Sequence, residues 1–245
     1  MAWQVFLYAL LTDLATGLGA VPFAFVRKFS RFWLGIFHAV AAGLMLAASF
    51  TLVHEELPQA PLDVLVGVLL GLVFIVWAHR LIEAKGGLEW GQMTAVDAKK
   101  VFMIVLVMTA HSFAEGVGLG VAFGKGEGLG VFISLAIAAH NVPEGLAIAL
   151  VLVARGVSWK SAALWGIFSS LPQPLMAVPA FLLVQSFAPF LPLGFGFAAG
   201  AMLWLVFSEI LADALEGLSG QTMATAVVLA VVAMLAFQAL IAPAS

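Results

Sequence analysis

The chain has 245 residues, 64% of them hydrophobic and only 9% charged, with a formal net charge of −3. Soluble domains carry about 25% charged residues, and a mean hydropathy of +1.15 is that of a chain immersed in lipid. The absence of cysteine excludes a disulfide framework and any thiolate metal site, and the acidic balance argues against a nucleic-acid partner.

A membrane helix needs about 20 apolar residues. On that ruler eight spans follow in chain order: 3–25, 33–53, 62–82, 101–123, 128–153, 161–185, 190–212 and 221–242. The expectation is an all-α integral membrane protein, an eight-transmembrane-helix bundle forming one domain over 1–245, multi-pass in a cell inner or plasma membrane with the bilayer as its solvent. The first apolar stretch lacks a basic lead-in and its positive charges follow it, so it reads as a span rather than a removable signal. The breaks are short and polar: Arg27, Lys28 and Arg31 in the first, His54, Glu55 and Glu56 in the second, Lys125 and Glu127 in the fourth. The longest, near 83–100, carries Glu83, Lys85, Glu89, Asp97, Lys99 and Lys100. None can hold a soluble domain.

Nine Lys and Arg residues fall in the breaks after the first, third and fifth spans, and Lys125 alone falls in the alternate ones. The positive-inside rule then places those odd breaks in the cytoplasm and both termini on the extracytoplasmic side. His54, Glu55 and Glu56 face the exterior, as an acidic mouth for cations or as a merely polar helix end.

Two motifs interrupt the hydrocarbon. His111-Ser112-Phe113-Ala114-Glu115-Gly116 lies in the fourth span and His140-Asn141-Val142-Pro143-Glu144-Gly145 in the fifth. Each sets an imidazole and a carboxylate at i and i+4, on one helix face, near mid-membrane. Ionisable groups there are costly and mark sites or pathways. The bland reading is that each His neutralises its own Glu. Two copies, with Ser112 and Asn141 alongside, favour a cation site. Imidazole with carboxylate suits zinc and neighbouring divalent metals, whereas calcium and magnesium prefer all-oxygen shells. Two carboxylates also cancel a dication's charge in a low dielectric.

Other residues add to the pattern. Pro143 denies the Ala139 carbonyl its helical donor and is expected to kink the fifth span, either for shape or to free a carbonyl beside the site. Glu209, a lone carboxylate deep in the seventh span, faces the site or its exit. Met45 in the second reads as core filler or as a thioether ligand. Gln173, between Pro172 and Pro174, sits on a broken sixth helix and lines the path or packs. His38 and His79 near span ends read as interfacial, Asp213 and Glu216 as a solvated helix end or an exit funnel. Asp13 lines a vestibule or caps a helix. The fourth and fifth spans share H-x-x-x-E-G, and the second and seventh share Ala-Ala-Gly-x-Met-Leu, the kind of internal repetition that places a site where repeats meet.

These residues resemble the ZIP family of divalent metal transporters, in its bacterial and organellar branch. The likeness rests on the two motifs, on the eight spans, and on Ala41-Ala42-Gly43-Leu44-Met45 and Ala199-Gly200-Ala201-Met202 in the second and seventh. The resemblance implies uptake of zinc, and often iron, manganese or cadmium, into the cytoplasm, with the metal as cargo and no prosthetic group. It implies a primary site of Met45, His111, Glu115, His140 and Glu144, and a neighbouring second site involving positions 112, 141 and 173. Ser112 and Ala114 stand where Asn and Pro are usual, and Gln173 where many relatives carry a bridging Glu. The expectation is therefore one well-formed site with a weaker or absent second. The third break lacks the His-rich tract of many relatives. Gly116, Gly118, Gly120, Gly196 and Gly200 let backbones approach closely, and such faces allow a homodimer. An intramembrane zinc hydrolase would need His-Glu-x-x-His, which the chain lacks. A metal exporter and a proton conductor remain as alternatives.

Overall fold

The computed structural model describes residues 1–25, 30–84 and 95–241; of Glu55, His140, Ile241 and residues 82–84 and 95–100 it describes the backbone alone. Arg27, Lys28, Lys85 and Glu89 therefore lie outside the described residues, as do the side chains of Glu55, Glu83, Asp97, Lys99 and Lys100. Every regular element described is helical: α1 (Ala2–Leu18), α2 (Pro22–Phe25), α3 (Arg31–Glu56), α4 (Pro61–Ala84), α5 (Ala95–Lys125), α6 (Glu127–Val153), α7 (Trp159–Ser170), α8 (Pro172–Leu182), α9 (Val184–Phe187), a short 3-10 turn (Ala188–Phe190), α10 (Leu191–Leu205), a π-helical turn (Val206–Ile210), α11 (Leu211–Leu215) and α12 (Gly220–Ile241).

Among the described residues, seven helical stretches are long and apolar enough to cross a membrane: Ala2–Phe25, Arg31–His54, Pro61–Leu81, Val101–Lys125, Glu127–Val153, Val184–Leu215 and Gly220–Leu240. The sixth expected span, 161–185, is not one helix. It is two half-helices, α7 of 12 residues and α8 of 11, because Pro172 and Pro174 supply no amide donors and the ladder lapses at Leu171. The long break is also shorter than expected, since α5 begins at Ala95. Helix starts follow local chemistry: the Ser30 and Ser158 hydroxyls accept the amides of Trp33 and Ser161.

In lipid the hydrophobic effect gives helices little reason to associate, so close van der Waals packing must do it. Glycine seams supply that contact. On α4 and α10, Gly67 and Gly71 face Gly196 and Gly200, and a Cβ on any of the four would collide with the opposing backbone. The core gathers where α3, α5, α6 and α10 meet, with Met45, Met108, Ile148, Met202 and Leu205 fully buried. The Ser49 hydroxyl ties two of these helices, reaching the Met45 carbonyl at 2.8 Å and Met202 Sδ at 3.0 Å.

α5 and α6 matter most for function. They form a hairpin closed by Gly126, whose φ of 157° L side chains rarely adopt. Antiparallel helices of equal rise bring residues roughly equidistant from that turn to one depth, about 22 Å away for His111. α6 continues through Pro143 as a single helix. We expect Gly71→Leu to destabilise the α4–α10 seam by about 1–3 kcal/mol, read as a lowered Tm in detergent micelles. Gly128→Ala, at a position where a Cβ meets nothing within 4 Å, should leave Tm unchanged.

Candidate metal centre

His111 is placed by α5 one turn before Glu115, and α6 brings Glu144 to meet both. His111 Nε2 lies 3.3 Å from Glu115 Oε1 and 3.0 Å from Glu144 Oε1. All three residues are 0–1% exposed. One ligand atom from each lies within 4.8 Å of the others, a spacing that can hold a metal ion. One imidazole between two carboxylates offers a nitrogen and at least two oxygens, the donor set of zinc and its neighbours rather than of calcium. The two motifs were expected to form one site shared by the fourth and fifth spans, the bland alternative being that each His neutralises its own Glu. In the structure the tighter of these contacts runs between helices, from His111 to Glu144.

A hydrogen-bonded amide layer supports the group from one side. Gln173 Nε2 donates to Glu115 Oε2. Gln173 Oε1 accepts from Asn141 Nδ2 at 3.0 Å and from the Thr12 hydroxyl at 2.9 Å, and Asn141 Nδ2 also reaches the Thr12 carbonyl at 2.7 Å. Four helices therefore converge on one carboxylate. The broken helix puts Gln173 there: at Gly116 a Cβ would lie 2.6 Å from the Gln173 carbonyl oxygen, so only glycine lets α8 come this close to α5. One turn after Asn141, on the same face of α6, the Thr16 carbonyl leaves no room for a side chain at Gly145, which seats α1 against the residue following Glu144.

The remaining sequence candidates divide. The His140 backbone belongs to α6, but its side chain lies outside the described residues. Ser112 is buried, and its hydroxyl has no hydrogen-bond partner among the described residues. Gln173 stands directly against the three-residue group through Glu115, and Asn141 one hydrogen bond further out, on Gln173 and Thr12. Met45 lies in the apolar core. Glu209 is not part of this group: within the π-helical turn it faces His79 at 3.7 Å, whose ring lies edge-on to Trp204 at 5.2 Å. His38 stands 3.9 Å from Asp213. These pairs join α3 and α4 to the end of the seventh span, contacts that the reading of His38 and His79 as interfacial and of Asp213 as a helix end or exit funnel did not include. Asp13, expected at a vestibule or cap, is wholly buried. Thr12 is the contributor that sequence reasoning missed; a hydroxyl inside an apolar span, one residue from an intramembrane Asp, was the available signal.

A cavity of about 320 Å³ leads to the group. Glu115 and Gly118 line its inner end, Ala136 and Phe195 its middle, and Glu56, Gln59 and Lys125 the region at the helix ends. A multi-pass helical bundle thus encloses three residues that could hold a metal ion, with a pocket beside Glu115. The sequence profile of the ZIP zinc transporter family matches residues 87–242. The chain belongs to that family. It is 46% identical to the candidate zinc transporter At3g08650 of Arabidopsis thaliana over 96% of its own length, and 32% identical to the zinc transporter GufA of Myxococcus xanthus over 85%. It spans 38% of the plant protein and 87% of the bacterial one. The ZIP chain is accordingly a multi-pass membrane protein of a transporter family, and the hydrolase reading falls.

Replacing Gln173 with Leu leaves Glu115 Oε2 without its amide donor. Leaving a buried acceptor unsatisfied costs about 1–3 kcal/mol, so this variant should unfold at lower temperature than wild type in a detergent melt. Asn141, which keeps the Thr12 carbonyl, limits the loss.

Proposed function

We propose that the chain carries divalent transition-metal ions, Zn2+ foremost, across the membrane into the cytoplasm through His111, Glu115 and Glu144, with His140 as a fourth ligand from α6. The observation that carries this reading is the buried imidazole held between two carboxylates at the inner end of a cavity. Without a metal, two carboxylates and an imidazole out of water need protons to balance their charge. With a dication between them the charge cancels, and the nitrogen–oxygen donor set selects for zinc-like ions.

The cavity supports the direction. Its mouth lies between the end of α3, the end of α5 and the start of α6, on the side that the Lys and Arg distribution assigns to the exterior. Glu56 and Gln59 offer oxygens there for an ion shedding water, and the charge of Lys125 opposes them. A site fed from that side favours uptake over export. Met45, Ser112, Asn141 and Gln173 complete the proposed surroundings. Ser112 and the two amides are neutral, so one dication rather than two is the load that the two glutamates balance. Release requires Glu115 and Glu144 to separate, which a relative movement of α5 and α6 achieves. Glu209 with His79 lies on the proposed exit side.

Zinc uptake into proteoliposomes tests the reading. Wild type should accumulate zinc, with iron, manganese and cadmium competing, and His140→Ala/Glu144→Ala should abolish accumulation. No uptake by folded wild type under an imposed metal gradient would refute transport. His111→Ala should weaken zinc binding by more than about tenfold, over ~1.4 kcal/mol, measured by calorimetry on purified protein. Because metal competes with protons for imidazole and carboxylate, affinity should fall as pH falls, with protons released on binding. Titrations in buffers of different ionisation enthalpy read that release directly. Leu129→Trp, which narrows the cavity near the start of α6, eleven residues before His140, should slow uptake while leaving the equilibrium affinity unchanged.

A further inference from the structure

Asp13 lies in the middle of α1 with no exposed surface, and among the described residues neither of its carboxylate oxygens has a hydrogen-bond partner. An ionised carboxylate in such a place is among the most costly arrangements a membrane protein can hold. The group must therefore be neutralised, and the question is by what. A sodium or divalent ion wants several oxygens around it. Among the described residues no polar group reaches it: the Thr12 hydroxyl turns to the Ala9 carbonyl at 2.7 Å and Gln173 Oε1 at 2.9 Å, and the Thr16 hydroxyl to Ser170 at 2.8 Å. A proton needs one oxygen only.

The position of Asp13 ties it to the metal centre without making it a ligand. Thr12, just before it, gives its hydroxyl and carbonyl to the Gln173–Asn141 layer that holds Glu115. Thr16, one turn after it, presses its carbonyl against Gly145, the residue following Glu144. The flanking turns of α1 thus touch the supports of both carboxylates, so the helix that carries Asp13 is packed against both motifs.

We propose that Asp13 is a proton-binding site coupled to metal movement, an assignment that rests on the transport function above. While α1 is packed against α6, α7 and α8, Asp13 is the neutral carboxylic acid. When that seam opens, its O–H bond breaks, the proton passes to water and the carboxylate remains; closure takes a proton back. The titratable groups on the elements packed against α1 are Asp97, Lys99, Lys100, His111, Glu115 and Lys125 of α5, Glu127, His140 and Glu144 of α6, and Lys160 of α7. α8 has none. His111, Glu115 and Glu144 are engaged with one another, and Lys160 stands in the first turn of α7, at the opposite end from Ser169.

The test uses the full chain and Asp13→Asn, which keeps the shape of the protonated acid. In infrared difference spectra at neutral pH, wild type should show the carbonyl stretch of a protonated carboxylic acid that Asp13→Asn lacks. In proteoliposomes, a one-unit pH gradient should shift wild-type zinc accumulation by about tenfold for one coupled proton. Asp13→Asn should bind zinc with wild-type affinity and accumulate it without that dependence. The sign of the wild-type shift separates symport from exchange. If Asp13→Asn fails to fold, Asp13→Glu should retain the gradient dependence with a displaced pH profile. A carboxylic-acid band that is absent from wild type or persists in Asp13→Asn overturns the assignment, as does an unaltered gradient dependence in that variant. Should wild type move no zinc at all, the transport reading fails, and the infrared band alone still decides whether Asp13 holds a proton.

Discussion

The arrangement on which everything else depends is the sharing of one imidazole by two carboxylates in the buried interior of the bundle. His111 at 3.0 Å from Glu144 and 3.3 Å from Glu115 can exist only if the backbone delivers all three groups to one depth and keeps solvent from separating them. In a soluble protein the cost would be spread through water and loops. Here the helices must do all of it, and their sequence shows how. The single-glycine turn at Gly126 fixes the register of α5 and α6. Gly116 and Gly145 then let α8 and α1, packed on each other, close on that hairpin.

The break between α7 and α8 follows from the same constraint. A continuous helix there would satisfy its own backbone but could not present Gln173 against Gly116 with its amide turned toward Glu115. Pro172 and Pro174 interrupt the ladder at the depth where a polar group is wanted, and irregular backbone is tolerated at membrane depth where protein covers it. The Gln173 amide has a donor and an acceptor, so it can serve Glu115 on one side and take Asn141 and Thr12 on the other. A carboxylate in its place would have only acceptors to offer, and its charge would add to two already buried.

Much of this was legible in the sequence, and the limits are physical. Seven of eight spans agree with the helices to within a few residues, because length and hydropathy in lipid are nearly sufficient. The sixth is where they are not: hydropathy does not register a missing amide donor, although Pro172 and Pro174 announced it. His111, Glu115 and Glu144 were readable because charge in a membrane is rare. Their meeting across helices was expected from two copies of one motif in neighbouring spans; that His111 lies nearer Glu144 than its own Glu115 was not, since the i and i+4 rule speaks only of one helix. Glu209 was read as a site or exit residue, but its partner His79 comes from another helix, and no spacing rule relates the two. The pairing of His38 with Asp213 escaped for that reason too. Thr12 escaped because a threonine in an apolar span usually bonds its own helix, as Thr109 does to Val105.

The number of buried carboxylates decides what such a site can carry. Glu115 and Glu144 supply two negative charges at most, enough for one dication. The amide at position 173 supplies none. A second dication beside the first would need a further charge, and Asp13, the other carboxylate buried in α1, is no member of the three-residue group and makes no hydrogen bond toward it. Its charge is therefore balanced locally or not at all. One metal at the glutamates and one proton at Asp13 is the assignment in which every buried carboxylate is neutralised by its nearest means. It also makes the two events separable, because a metal can bind or leave at His111 without any ligand being taken from Asp13.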